Sequence, residues 1–68
     1  MKFTAEQKFQ EAAREVNFRR RVYERLIGEG SMKREEAQRR IDIMSQIAED
    51  YRTKAELEAP QLKFPDSY

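Results

Sequence analysis

The chain has no cysteine, no histidine and no tryptophan, and only two glycines and two prolines in 68 residues. Without thiols there can be no disulfide, and a zinc staple loses both of its usual soft ligands. Without histidine or cysteine the common pairings of nucleophile and base are missing, and Thr4, Ser31, Ser45, Thr53 and Ser67 have no evident activating partner. The adjacent carboxylates Glu35/Glu36 and Glu49/Asp50 would point about 100° apart on a helix and sit among charged neighbours, so they read as solvated surface. The expectation is a protein that is not an enzyme, with no metal and no cofactor. No stretch approaches the roughly 20 apolar residues of a membrane span, and the first residues, Met1 to Lys8, lack the apolar core of a secretory signal. A cytoplasmic protein with no membrane partner is therefore expected.

Small size sets the next limit. A domain of about 60 residues buries only about 60% of the surface its unfolded chain exposes, so a lone unit of this length is marginal. With staples excluded, helix packing, self-association or a partner must supplement the core. Charge adds little in total: 14 basic against 13 acidic residues give +1. The distribution is less even. Residues 17–40 carry eight basic and four acidic groups, +4, whereas 41–68 carry three and six, −3. The middle of the chain is basic and its end acidic.

What is present is helical pattern. Thr4-Ala5-Glu6-Gln7 has the form of a capping box and opens a run free of glycine and proline to Ile27, predicting a first helix over about 5–27. Phe9, Ala13, Val16, Tyr23 and Ile27 fall within about 40° of one direction, with Ala12 on the flank. Gly28-Glu29-Gly30-Ser31 ends it. A second helix is predicted over about 34–57, capped by Ser31 or in an alternative register with Glu36 at its third position. Its stripe is Ala37, Ile41, Met44, Ala48, Tyr51 and Ala55. Pro60 and Pro65 make 60–68 an extended or disordered tail, beside a hairpin occupying 1–59.

A short connection makes the helices antiparallel. The stripes then match layer by layer: Phe9 with Tyr51, Ala13 with Ala48, Val16 with Met44, Arg20 with Ile41, and Tyr23 with Ala37. The fold class expected is all-α, an antiparallel two-helix hairpin with an extended C-terminal tail, completed as a homodimeric four-helix bundle. Arg20 is the odd member of the stripe, with two readings: its stem against Ile41 and its guanidinium on Asp42 or a partner's carboxylate, which is favoured, or an exposed anchor for phosphate.

Two surfaces remain to carry function. Phe18, Val22 and Leu26 lie off the first stripe and Ile43 and Ile47 off the second, so a lone hairpin would expose them. They are the candidate protein interface, covered by a second copy, by the tail or by a different protein. Arg19, Arg20, Arg21, Arg25, Arg39 and Arg40 gather toward the turn in the hairpin and form the alternative, a nucleic-acid contact. Against it, many charges pair at i,i+4, as in Glu15/Arg19 and Glu36/Arg40, which is how a short helix supports itself.

The run Arg19-Arg20-Arg21-Val22-Tyr23, followed by Leu26, Gly30, Met32, Glu36-Ala37, Arg40-Ile41, Met44 and Ile47-Ala48-Glu49-Asp50-Tyr51, resembles a family of very small proteins encoded by bacteriophages and prophages of proteobacteria. The resemblance covers about residues 14–51. In that family a proline often follows the tyrosine and a serine or threonine often caps the second helix; here Glu24 and Lys33 stand at those positions, which implies a first helix continuous through Tyr23. The resemblance implies a context rather than a reaction: a bacterial host, and action by binding and redirecting host proteins or as an accessory in phage DNA metabolism. The reading favoured here is a modulator or inhibitor of a host protein, its partners being a second copy of itself and a host or phage protein.

Overall fold

A reciprocal cap starts the first helix. The Gln7 backbone N–H donates to Thr4 Oγ1 at 3.1 Å, and the Thr4 N–H donates to Gln7 Oε1 at 2.9 Å, so two amides without helical partners are satisfied together. In this computed structural model, which describes residues 2–58, α1 spans Ala5–Gly28 and α2 spans Arg34–Glu58, with no strand among the described residues. The helix limits lie within a residue of those read from the pattern. The expected extended tail, 60–68, lies outside the described residues.

The turn is built from α1's own unsatisfied carbonyls. Gly30 N–H donates to the Ile27 carbonyl at 3.0 Å and Ser31 N–H to that of Leu26 at 2.9 Å, the paired bonds of a Schellman motif. Gly30 sits at φ +80°, the left-handed conformation that a residue with a Cβ resists. Ser31 is thus spent on ending α1. At the start of α2 the Lys33 carbonyl accepts the Ala37 N–H at 3.0 Å, so Lys33 stands at the cap position and Glu36 at the third, the alternative register of the two expected, not the one capped by Ser31.

The two helices lie antiparallel along a seam of small residues. Among the described residues, Ala5, Ala12 and Val16 of α1 and Ala37 and Ala48 of α2 are the buried apolar ones, and no large side chain is fully enclosed. Phe9, Tyr23, Ile27, Ile41, Met44 and Tyr51 are only half-buried along the margins. This rotates α1 from the expected stripe: its seam is centred near Ala12 and Val16 rather than Phe9 and Ala13. The reason is geometric. Two helices alone cannot surround a phenylalanine or a tyrosine, so alanines occupy the line of closest approach and the bulky residues lean over the flanks. A stripe weighted toward large apolar residues is pulled off that line.

The same rotation exchanges one arginine for its neighbour. Arg19 bridges the seam, its Nη1 donating to the Arg40 carbonyl at 3.0 Å while its Nε meets Glu15 Oε2 at 2.9 Å. Arg20 does border Ile41, in a shallow depression with Glu24 and Gln38, but its side chain is exposed. Asp42, its expected partner, accepts instead from Gln38 Nε2 at 2.9 Å.

Candidate docking face

Register across the seam fixes which residues lie side by side. Lys8 Nζ sits 5.4 Å from the centre of the Tyr51 ring, a cation–π contact, and Arg19 meets the backbone of Arg40. Residues of α1 and α2 whose numbers add to about 59 are therefore level. With about 100° per residue, Phe18 lies about 140° round α1 from the seam, Val22 about 100° and Leu26 about 60°, all on the side of Glu11 and Glu15. On α2, Ile47 lies about 90° and Ile43 about 130° from the seam. An open groove on that side is lined by Glu11 and Glu15 from α1 and by Met44, Ile47 and Tyr51 from α2, and a second groove, on the outer side of α1, holds Phe18 among Glu11, Arg14, Asn17 and Arg21.

By these angles Val22, Leu26 and Ile47 turn to one side of the hairpin, with Phe18 and Ile43 at its outer edges. Phe18 and Ile43 are each 49% exposed and Ile47 37%, while Val22 and Leu26 are half-buried. The opposite face differs in kind. Arg20 and Glu24 of α1 and Gln38, Asp42, Ser45 and Glu49 of α2 turn that way, with Ala13 as its small apolar member. One face exposes large apolar side chains among its charges, whereas the other exposes polar ones, with Ala13 and the edge of Ile41 as its apolar members.

The arginines are not gathered in the same manner. Successive helical residues turn about 100°, so Arg19, Arg20 and Arg21 point to the seam, to the polar face and to the outer side of α1 respectively. Arg40 is held by Glu36 at 3.3 Å, and Arg25 lies 3.9 Å from Glu29. Arg20, Arg21 and Arg39 take part in no ion pair among the described residues. Arg39 faces outward from α2, on the far side of the molecule from Arg21. The basic charge is concentrated at the turn end, yet it surrounds that end instead of lining one groove.

The acidic end carries the densest ion pairing. Arg52 makes a two-pronged contact with Glu49 and reaches Glu56 Oε2 at 2.6 Å. The hydrogen bond and the charge of Arg52 hold the Glu49 carboxyl below its ordinary range, and Glu49 in turn raises the guanidinium of Arg52. Glu49 and Glu56 are exposed and Arg52 is half-buried between them, and the contacts brace α2's surface. Among the described residues no group of three or more carboxylates is placed to hold a metal ion, and no helix is long and apolar enough to cross a membrane.

Comparison with known protein families, with curated proteins and with solved structures gives no match to this chain, so its function has to be argued from its own residues.

Proposed function

We propose that the protein is a non-enzymatic binding protein that acts by docking the face bearing Phe18, Val22, Leu26, Ile43 and Ile47 on another protein, as a modulator of a host protein in the phage setting that the sequence resemblance implies. The observation that carries this is the contrast between the two faces. Phe18, Ile43 and Ile47 leave about 250 Å² of mostly apolar surface in water, roughly 6 kcal/mol of gross stabilisation if a partner covered it fully. The polar face offers nothing comparable. Five large apolar residues are exposed among the described ones: Phe3 and Leu57 stand near the ends of the described chain, and Phe18, Ile43 and Ile47 lie on this side of the hairpin. The inventory supports the non-enzymatic part of the reading: no histidine or cysteine, and depressions that are shallow and open, where neither pKa tuning nor exclusion of water is available.

The experiment is a matched pair of variants expressed in a bacterial host. Tagged protein carrying Phe18→Glu with Ile47→Glu should lose the proteins that the unmodified chain retains on cross-linking. Gln38→Glu with Ser45→Glu, on the polar face, should retain them. Loss in both variants, or in neither, would sink the proposal.

A further inference from the structure

The docking face has a shape and a charge pattern that fit one occupant in particular. We infer that a second copy of this chain covers it, lying face to face and end for end, so that the turn of each hairpin rests over the open end of the other in a four-helix bundle. This rests on the docking face proposed above and names its occupant when the protein is alone; a host protein that docks there must displace the second copy.

Charge selects the arrangement. The turn half of the hairpin, residues 17–40, carries +4, and the described residues of α2 beyond it, 41–58, carry two basic and five acidic groups, −3. The hairpin is a rod with a positive and a negative end. Two such rods packed in the same direction would bring +4 beside +4 within a Debye length of about 8 Å. Packed end for end, each positive half meets a negative one. A two-fold axis across the helices produces this arrangement, and self-complementary two-fold pairing is the commonest form of oligomer.

The apolar residues fall at the right height for that axis. Ile43 is level with about residue 16 of α1 and Ile47 with about residue 12, from the register given by Lys8/Tyr51 and Arg19/Arg40. The patch is therefore centred close to the level of Phe18. An axis through that centre sets Phe18 beside Phe18 of the second copy, and Ile43 beside Ile43. It also carries Arg25 of one copy toward Glu11 of the other, at the rim. The footprint is adequate. A helix of 24 residues is about 36 Å long, and two side by side cover roughly 20 Å, giving about 700 Å² per copy, near the 800 Å² of an ordinary stable interface.

The absence of cysteine makes the test direct, because any single introduced thiol reports only on itself. Sedimentation equilibrium of the unmodified chain at tens of micromolar should give the mass of two chains. Phe18→Glu should weaken association at least about a hundredfold while leaving the helical circular dichroism of the monomer intact. Phe18→Cys alone, and Ile43→Cys alone, should each cross-link with a short bismaleimide. Cross-linking only in a mixture of the two variants would mean that α1 lies over α2 of the other copy with both turns at one end, and would overturn the arrangement. A strict monomer would overturn self-pairing yet leave the docking face standing for another protein. A dimer unaffected by Phe18→Glu and Ile47→Glu would overturn both.

Discussion

Arg19 provides the sharpest test of the seam. Its Nη1 donates to the Arg40 carbonyl at 3.0 Å, its Nε meets Glu15 at 2.9 Å, and its side chain is only 25% exposed. Arg19→Ala removes three contributions. A hydrogen bond from a charged donor contributes about 1.5 kcal/mol, taken at the low end because the site is open to water. The i,i+4 pair with Glu15 adds about 0.3 kcal/mol, and the alkyl stem some packing across the seam. Alanine's better helix propensity returns a few tenths of a kcal/mol. The net loss is about 1.5 kcal/mol, a fall in Tm of about 6–12 °C for a domain of this size. Arg19→Lys keeps the stem and charge but can reach only one acceptor at a time, so it should lose about half as much. Arg20→Ala should change stability by no more than about 0.5 kcal/mol, since that side chain is exposed and lacks an ion pair. The assay is thermal and urea unfolding followed by far-ultraviolet circular dichroism, all variants at one protein concentration because association would shift every midpoint. If Arg20→Ala costs as much as Arg19→Ala, the wrong arginine has been placed at the seam and the rotation of α1 is incorrect.

The remaining predictions address the ends, the seam and the charged surface. Thr4→Ala removes the hydroxyl that accepts the Gln7 amide and should cost about 1 kcal/mol, visible as loss of amide-exchange protection in the first turn of α1. Gly30→Ala must hold φ +80° with a Cβ and should cost about 1 kcal/mol; Gly28→Ala, at a helical position with nothing within 4 Å of the new Cβ, should be neutral or stabilising by up to about 1 kcal/mol. Unfolding midpoints that rank the two glycines the other way would contradict the turn. Ala37→Leu forces bulk into the most buried position of the seam, 2% exposed, and should destabilise by about 1–3 kcal/mol. Because Arg52 depresses Glu49, the small support from this contact is present above the unfolded carboxylate's titration and is lost as pH falls through the folded one; Arg52→Gln should move the Glu49 titration upward in NMR, and an unmoved titration would deny the contact. Binding to a DNA or RNA duplex at low salt, if the arginines contact phosphate, must fall steeply with salt; flat or absent binding is the outcome expected from their dispersal round the turn end.

The sequence by itself determined that this protein is a pair of antiparallel helices. The Thr4-Ala5-Glu6-Gln7 cap, the two glycines in three residues and the heptad-like rhythm of α2 are local signals, decided by backbone chemistry within a few residues, and they place the helix limits within a residue of those observed. It also determined that Phe18, Ile43 and Ile47 stay outside, because they lie far enough from any seam to survive a modest rotation; Val22 and Leu26, expected beside them, are half-buried. What only the tertiary structure decided is the seam itself. Helical periodicity gives a direction to within a few tens of degrees. The choice between Ala13 with Arg20 and Ala12 with Arg19 depends on how closely two backbones approach, and alanine allows the closest approach where a pattern weighted by bulk points elsewhere. Dispersal of the arginines belongs to the same class of fact. Near one another in sequence and at one end of the rod, they are separated by the turning of the helices, and only the packed pair shows Arg19 drawn inward, Arg40 held by Glu36, and Arg21 and Arg39 facing opposite ways.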